Sequence, residues 1–523
     1  MPGRSRPTLS EPADYPGAVL PRTGLAALAG VLLAAAYAPF DVPWVIPLAV
    51  ATYVWCTASL RPGRSWLPGL AFGLGFQLSL LWWMRVIGTD AWAGLAGIEA
   101  LFYGAVGALV PLLRRWPGWP LWVAVVWMTM DSLRMGWPFS GMPWGRLSYG
   151  VADHPWAQAL PYVGFSGLDL LLALIGALLG ALVLDRTRWR LTAGVAVVAS
   201  AASFVPALLP YDAPVSGHRT VAVVQGNVPG DGTDVLVDVE QLTRNHFEAT
   251  EQLASDVDDG RVPKPDFVVW PENSTAADPF TDPLIGGMID SAASRVDVPV
   301  LAGVMADYGT HGVLNQGIVW SPDTGAGDRY TKHHPVPFGE YVPWRSLFAG
   351  NLARIQKVPR DMLAGTRQTP LSIAGTRVAD AICFDVAYDD SLHDQVVRGG
   401  QMIVVQTSNA SFIYTHQIDQ QFEISRLRAM EAGRDVVVAS TNGVTGVIRS
   451  DGSVVARSPL RRTDILVEPV FLSDALTPGL RIDGWIGAAV WPLALVILLS
   501  GVLAYRRRTG QEAAPRTTEE EAS

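Results

Sequence analysis

The chain has 523 residues, too many for one ordinary hydrophobic core, so at least two folding units are expected. Charged residues make up only 17% of it and its mean hydropathy is +0.24, values typical of a protein with about half its length in lipid. A net charge of −9 and the absence of a basic stretch interleaved with aromatics exclude nucleic acid as the expected partner. Two cysteines, Cys56 and Cys383, exclude a disulfide framework.

A helix needs roughly twenty predominantly apolar residues to cross a bilayer. Eight stretches predict a multi-pass bundle of about eight transmembrane helices, seven of them within 23–210 and the eighth within 483–506. The first stretch also has features of a signal peptide, but the spans that follow at once favour an uncleaved helix. The predicted stretches are 23–40, 43–60, 66–84, 91–113, 119–135, 161–184, 191–210 and 484–505.

Positive charges in the short connections predict the orientation, because arginine and lysine accumulate on the cytoplasmic side. Every second connection is basic, so residues 1–22 are expected to be a cytoplasmic N-terminal segment and 211–482 an extracytoplasmic domain. The connection 136–160 falls on that same outer side, and its aromatic, proline-containing run 136–145 predicts a structured loop. The acidic, polar residues 507–523 predict a disordered cytoplasmic tail. The basic positions are Arg4, Arg6, Arg22, Arg61, Arg64, Arg114, Arg115, Arg186, Arg188, Arg190, Arg506, Arg507 and Arg508.

In the large segment before the last span, short apolar strands alternate with stretches of helical spacing, such as Gln241–Ser255 and Gln417–Ala432. This alternation predicts an α/β domain, and the many β-branched strands suggest two sheets packed face to face with helices outside. The predicted strands are Thr220–Val228, Asp266–Trp270, Val298–Val304, Gly317–Ser321, Val378–Phe384, Met402–Thr407, Val436–Ser440, Val444–Arg449 and Ile465–Val470.

Unusual polar residues accompany three of these strand ends. Glu272 lies just past a buried strand in Val-Val-Trp-Pro-Glu-Asn-Ser, and Cys383 ends an apolar strand in Ala-Ile-Cys-Phe-Asp. The run 329–343 adds Lys332 and Glu340. Each residue alone is most often a solvated charge or a small buried hydrophobe. Together they are the parts of a nucleophilic acyl-transfer site.

The chemistry assigns a role to each part. A thiolate attacks a carbonyl, and because a free cysteine has a pKa of about 8.5, a carboxylate such as Glu272 is needed to take the proton of Cys383. The Lys332 ammonium favours the thiolate and stabilises the oxyanion of the tetrahedral intermediate. Glu340 would orient Lys332 or support the base, since a buried ammonium needs a partner.

The motifs around Glu272, Lys332 and Cys383 resemble the Glu-Lys-Cys triad of the nitrilase superfamily, whose fold is an αββα sandwich. Over nearly its whole length the chain resembles the membrane-bound branch of that superfamily, the apolipoprotein N-acyltransferases, in which the domain precedes the last of eight membrane helices. The resemblance implies that this triad is catalytic and that Glu340, Phe384 and Asp385 support it. The other matching segments are 224–228, 337–343, 408–412, 426–434 and 440–446.

The chain departs from the family pattern at two places. Phe384-Asp385 follows the cysteine, where the family commonly has an aromatic residue and glutamate. The loop 229–234 lacks the tryptophan expected in a substrate lid. The first change is conservative, whereas the second affects only the expected contacts of the lid.

The resemblance also implies the reaction and its setting. An acyl chain would pass from a membrane phospholipid, through a thioester on Cys383, to the α-amino group of the S-diacylglyceryl cysteine of an apolipoprotein. The expected location is the cytoplasmic membrane of a bacterium, with the catalytic domain on the extracytoplasmic side. Tyr341–Phe348 and the loop 136–150 are expected to wall the lipid entrance.

Three other functions are compatible with parts of this sequence. A membrane-tethered carbon-nitrogen hydrolase, an amidase, would keep the triad and pass the acyl group to water. A cysteine protease would use Cys383 with His334 or His416. A transporter or receptor would leave the triad unexplained, although Glu99 and Asp131 lie within predicted spans. The eight histidines show no metal-ligand spacing and no glycine-rich nucleotide loop precedes a helix, so neither a metal nor a cofactor is expected.

Overall fold

The computed structural model describes residues 19–310, 312–345 and 358–512. Within these ranges, helices occur at all eight predicted spans. By length and composition, four segments of this part of the chain could cross a membrane: Thr89–Leu113, Pro155–Leu184, Trp189–Leu208 and Pro478–Ile497. The helices of the bundle are α1 (Val19–Ala34), α2 (Val45–Ala58), α3 (Pro62–Leu80), α4 (Thr89–Leu113), α5 (Trp119–Gly136), α6 (Leu160–Leu184), α7 (Trp189–Leu208) and α12 (Pro478–Glu512).

The last helix is longer than predicted. It begins at Pro478 and ends at Glu512, so residues 507–512 of the predicted disordered tail are helical. The remainder of that tail, and most of the predicted N-terminal segment 1–22, lie outside the described residues.

A buried arginine orders the loop after α5. The Arg134 guanidinium donates to Asp131 Oδ1 at 2.8 Å and to Glu99 Oε2 at 3.2 Å, so the two acids predicted within spans find an internal partner. The same side chain donates to the carbonyls of Met142 (3.0 Å) and Trp144 (2.6 Å). Satisfied carbonyls allow this segment to be buried, and the structured loop predicted from the run 136–145 is therefore present.

The α/β domain is an αββα sandwich, as predicted. Its strands are β1 (Gly217–Gln225), β2 (Phe267–Val269), β3 (Val300–Tyr308), β4 (Gly312–Ser321), β5 (Gly325–Thr331), β6 (Asp361–Met362), β7 (Leu371–Ile373), β8 (Thr376–Ile382), β9 (Met402–Thr407), β10 (Val436–Ser440), β11 (Gly446–Ile448), β12 (Val454–Arg457) and β13 (Asp464–Leu472). One sheet has the order β13-β1-β2-β3-β4-β5, with β6 beside β4, and the other has the order β12-β11-β10-β9-β8-β7. Helices α8 (Val239–Asp258) and α9 (Pro283–Val296) cover the first sheet, while α10 (Asp389–Val397) and α11 (Gln417–Ala432) cover the second.

Strand β5 was not predicted, because its sequence is mostly polar and only Tyr330 of its seven residues is buried. Its pairing with β4 supplies the hydrogen bonds that its composition does not indicate. The strand leads directly to Lys332, so it positions a predicted site residue.

The helical bundle and the α/β domain share one hydrophobic core. Apolar side chains of α11, including Phe422 and Leu427, belong to the same buried cluster as Trp127 and Phe165 of the bundle. The second sheet therefore rests on the bundle through α10 and α11. Since Cys383 follows β8 in that sheet, this docking places the predicted nucleophile close to the membrane helices.

Candidate active site

Cys383 lies at a sharp turn. Strand β8 ends at Ile382, and Cys383 begins a short 3-10 helix with a φ of +53°. A left-handed backbone costs a residue other than glycine about 1–3 kcal/mol, and it persists only where the surroundings hold it. The Asp385 carboxylate provides that hold, because it accepts hydrogen bonds from Tyr330 Oη (2.9 Å) and from the backbone N–H groups of His333 (3.1 Å) and His334 (2.8 Å). The cysteine turn is thus tied to the segment that follows Lys332.

Lys332 bridges two glutamates. Its Nζ lies 3.1 Å from Glu272 Oε1 and 2.6 Å from Glu340 Oε1, and its side chain is 1% exposed. Burial alone would lower the pKa of Lys332, but the negative charges of Glu272 and Glu340 raise it well above its ordinary value. Lys332 is therefore a fixed ammonium at neutral pH.

Glu272 is held on both carboxylate oxygens. Oε1 accepts from Asn315 Nδ2 at 2.8 Å as well as from Lys332, and Oε2 accepts from the backbone N–H of Ser408 at 2.8 Å. Ser408 follows β9, the strand beside β8, so this bond joins the two sheets at the site. A carboxylate with these donors is oriented and has little freedom to rotate.

The segment that carries Glu272 passes very close to β3 at Gly303. The position of Glu272 therefore depends on the absence of a side chain there. A β-carbon on Gly303 would lie 2.0 Å from Pro271 O and 2.7 Å from Glu272 Cα. We expect Gly303→Ala to displace Glu272 and to slow acylation of Cys383 by about tenfold to a hundredfold, because small misplacements of reacting groups carry costs of that size. Intact-mass kinetics would measure the effect.

Gly327→Ala is the matched control. Gly327 is a strand glycine of the same sheet, but a β-carbon added there would lie 3.4 Å from its nearest neighbour, which is an ordinary contact. Equal rates for both variants would show that the close approach at Gly303 does not position Glu272.

The Cys383 thiol is protonated at rest. Burial and the negative Glu272 raise the pKa of Cys383 to about 12, while Lys332 and a hydrogen bond with Thr407 lower it and only partly offset that rise. At neutral pH the resting site therefore contains almost no thiolate. A nucleophilic attack by this thiol would have to be accompanied by proton transfer, for which a neighbouring carboxylate can act as the base.

The pH dependence of thiol alkylation tests this protonation state. In a Cys56→Ala background, in which Cys383 is the single thiol, we expect the rate of modification by iodoacetamide to rise with pH and to show no plateau up to about pH 10. The sign follows from the raised pKa, because the reactive thiolate accumulates only as the pH approaches that value. The same protein unfolded in denaturant should level off near the pKa of a free thiol, about 8.5. A plateau of the folded protein below pH 9 would contradict the protonated resting state.

Phe384, the residue after Cys383, contacts the loop 136–145 that follows α5. The Phe384 ring stacks on Trp144, with centroids 5.6 Å apart and planes at 13°. Trp144 Nε1 donates to Gln420 Oε1 at 3.0 Å, and Trp83 Nε1 donates to the same oxygen at 3.1 Å. Gln420 in turn donates to the carbonyl of Ala38 at 3.0 Å. One amide of α11 thus aligns two tryptophans, of which Trp144 stacks on the residue after Cys383.

Sequence reasoning did not single out Gln420. Its only signal is a polar side chain on the buried face of α11, and a helix pattern does not identify its partners, which are more than 270 residues away.

A buried ion network fixes the end of the cysteine turn to the bundle. Arg146 Nη1 donates to both Asp389 oxygens at 2.8 Å and Arg146 Nε to Asp169 of α6 at 2.8 Å. Arg428 of α11 donates to Asp389 at 2.9 Å and to the carbonyl of Val386 at 2.9 Å. Burial would raise the pKa of Asp389, but Arg146 and Arg428 lower it to about 2, so the carboxylate stays charged. The turn is anchored on the helices that α10 and α11 cover.

The predicted walls of the entrance also meet. Tyr341 Oη is 3.0 Å from Ser140 Oγ and donates to Phe139 O at 3.1 Å. The Phe139 ring packs edge-on against Trp344, with centroids 4.8 Å apart. The remaining predicted wall residues, 346–348, lie outside the described residues.

The structure brings together Glu272, Lys332, Cys383, Glu340 and Asp385, with Phe384 alongside. The two histidines that a cysteine protease would use, His334 and His416, contact other groups. His334 Nε2 is 2.8 Å from Asp390 Oδ1, and its ring stacks on Tyr388 at 3.7 Å. The side chain of His416 is 62% exposed and faces Asp419 at 3.7 Å. No group of three or more potential metal-ligating side chains is found among the described residues.

Two family models match the chain. The apolipoprotein N-acyltransferase N-terminal domain matches residues 29–178, and the carbon-nitrogen hydrolase family matches residues 220–475. An apolipoprotein N-acyltransferase of Mycolicibacterium smegmatis is 33% identical over 462 residues, which cover 83% of this chain and 77% of that protein. One of Ralstonia nicotianae is 32% identical over 93% of this chain and 94% of its own length, and one of Photobacterium profundum is 28% identical over 96% and 98%. The chain belongs to the apolipoprotein N-acyltransferase family and is an acyltransferase.

Proposed function

We propose that this protein transfers an acyl chain from a membrane phospholipid to the N-terminal amine of an apolipoprotein, with Cys383 as the carrier. The observation that carries the proposal is the pairing of Lys332 with Glu272 and Glu340 beside a cysteine turn docked on membrane helices. This arrangement puts thiol chemistry next to a surface where acyl lipids are anchored.

In the first step Glu272 takes the thiol proton as Cys383 Sγ attacks the ester carbonyl carbon of the phospholipid. The Lys332 ammonium and a backbone N–H after the nucleophile stabilise the oxyanion. The ester C–O bond then breaks, the proton passes from Glu272 to the departing oxygen, and lysophospholipid leaves. Cys383 retains the acyl chain as a thioester.

In the second step the neutral α-amino group of an S-diacylglyceryl cysteine attacks the thioester carbonyl. Glu272 accepts a proton from the amine, the C–S bond breaks, and the thiol of Cys383 is restored as the amide forms. A thioester is more reactive toward amines than the starting ester, and the amide product is stable, so the transfer runs toward the amide. Water must be kept out, because it would release the acyl chain as free acid.

The setting follows from both substrates. Each is anchored in a leaflet, so we place the protein in the cytoplasmic membrane of a bacterium with the sandwich on the extracytoplasmic side. The orientation is supported by the basic residues of every second connection, which all fall on one side of the bundle.

The test is intact mass of the purified full-length protein after incubation with phospholipid, followed by a diacylated lipopeptide with a free amine. The expected result is a hydroxylamine-sensitive gain of one acyl chain, which the lipopeptide then removes as it becomes triacylated. If the loaded enzyme discharges to water at the same rate with and without lipopeptide, the protein is a hydrolase. No gain of mass with any phospholipid would reject the covalent mechanism.

A further inference from the structure

A carboxylic acid and an amide face each other in the apolar space between the two sheets. Asp380 lies on β8, three residues before Cys383, and Gln406 lies on β9, two residues before Ser408. Both side chains are 0% exposed. Their neighbours at alternate positions belong to the inter-sheet core, so both side chains point between the sheets. These neighbours are Val378, Ile382, Met402 and Val404.

The facing oxygens receive no hydrogen bond. Within the described part of the chain, neither carboxyl oxygen of Asp380 nor Oε1 of Gln406 has a donor. A β-carbon on Gly317 would lie 2.3 Å from Asp380 Oδ2 and 2.4 Å from Gln406 Oε1, so both oxygens occupy the same small space above that glycine. A proton carried by Asp380 would give Gln406 Oε1 the donor that it lacks.

The orientation of the Gln406 amide is not arbitrary. Its Nε2 donates to the carbonyl of Trp270 at 2.6 Å and is 3.4 Å from the carbonyl of Leu301. Rotating the amide would point Oε1 at two carbonyls, so Nε2 must face β2 and β3, which leaves Oε1 toward Asp380.

A charged Asp380 would have little compensation here, because the Ala381 N–H and the charge of Arg367, which favour the carboxylate, do not offset its burial. The charged groups that act on it are Asp385, which is negative, and Arg367, which lies beyond the core; Tyr330, the other titratable group nearby, donates its hydroxyl to Asp385. Burial and the negative Asp385 raise the pKa of Asp380 well above its ordinary value. An ionised carboxylate without a donor is costly in such a place, whereas a neutral acid supplies its own O–H.

We propose that Asp380 is a neutral carboxylic acid that donates its proton to Gln406 Oε1, and that it is a positioning residue for Glu272. The inference rests on the proposed function. The link runs from Asp380 through Gln406 to the carbonyl of Trp270, two residues before Glu272. The Ser408 N–H, two residues after Gln406, holds Glu272 Oε2. Fixing Gln406 therefore fixes the distance between the strand that precedes Glu272 and the strand that carries Cys383.

Three variants separate the roles of proton, charge and bulk. Asp380→Asn keeps an N–H donor toward Gln406 but cannot ionise, and we expect it to acylate Cys383 within about threefold of the wild-type rate. Asp380→Leu has similar bulk and no donor, and we expect it to be slower by about tenfold or more, since Gln406 Oε1 is left unpaired. Thr376→Val is the matched control, because Thr376 is a buried polar residue at the opposite end of β8, and it should react at the wild-type rate.

The protonation state itself is read by infrared spectroscopy. The difference spectrum of wild type minus Asp380→Asn, at neutral pH and on full-length protein in detergent, should contain the carbonyl stretch of a protonated carboxylic acid. This measurement does not depend on catalysis or on how well Asp380→Leu folds.

Retention of activity by Asp380→Asn, loss in Asp380→Leu and a carboxylic-acid band would support the inference. A carboxylate band, or an Asp380→Asn variant as slow as Asp380→Leu, would overturn the neutral acid. An Asp380→Leu variant as fast as wild type would overturn the positioning role while leaving the proposed function intact. If wild type itself forms no thioester, the proposed function fails and the positioning role falls with it, while the infrared band still decides the charge of Asp380.

Discussion

Cys383→Ala is expected to remove transfer activity entirely, with a loss of about a thousandfold or more. In the proposed mechanism the acyl chain has no carrier without the sulfur, since Glu272 and Lys332 would act on the nucleophile and neither could replace it. Incubation with phospholipid should therefore produce no gain of mass on the variant, and lipopeptide should remain diacylated. A mass gain that survives the substitution would place the acyl group on another residue and reject Cys383 as the carrier.

Cys56→Ala is the matched control for this experiment. Cys56 is the other cysteine of the chain and lies buried in α2, away from the sandwich. The variant should charge and discharge like wild type, which would assign the acyl group to Cys383 alone.

The strain at position 383 supplies a second readout. At a φ of +53° a glycine has less backbone strain than a residue with a β-carbon. Cys383→Gly should therefore be more stable than Cys383→Ala by about 1 kcal/mol. Both variants should be inactive. Thermal unfolding in detergent measures the difference, and equal stability would mean that the turn relaxes when the sulfur is removed.

Glu272→Gln is expected to slow acylation of Cys383 by about a hundredfold to ten-thousandfold, the usual contribution of a general base. Glutamine keeps the size of the side chain and can still accept from Asn315 or Ser408, but it cannot take the thiol proton. Because burial holds the pKa of Cys383 at about 12, almost no thiolate is present at neutral pH to react without a base.

Glu340→Gln separates base catalysis from support of the lysine. Glu340 also pairs with Lys332, but its other oxygen accepts from the backbone N–H of Val336, so it orders the loop that carries it. We expect a loss about tenfold smaller than that of Glu272→Gln. Single-turnover acylation followed by mass spectrometry compares the two. A larger loss for Glu340→Gln would exchange the roles of the glutamates.

Much of the architecture could be predicted from the sequence because the signals are local. Apolar stretches of about twenty residues mark the bundle, and short β-branched runs mark the strands, whatever their neighbours are. Strand β5 and the helical residues 507–512 at the end of α12 are mostly polar, so these local signals do not predict them. The polar sequence of β5 is held by its pairing with β4, and composition does not report pairing.

The same distinction applies to the candidate site: its residues could be predicted from the sequence, but their contacts could not. Glu272, Lys332 and Cys383 could be singled out because each is an unusual polar residue at or near the end of a strand, and the run after Lys332 is distinctive. The hydrogen bonds that orient them could not be predicted, since Asn315, Ser408 and Asp385 lie on separate segments of the chain.

Residue type and spacing along the chain are enough to predict the apolar helices, the αββα class and the candidate reactive residues. The docking of the sandwich on the bundle, through Gln420 with two tryptophans and through Asp389 with Arg146 and Arg428, appears only in the folded molecule. The same is true of the buried Asp380, which shares the space above Gly317 with the amide oxygen of Gln406. Burial, pKa and hydrogen bonding depend on which groups the fold brings within a few ångströms, and those groups are far apart in sequence.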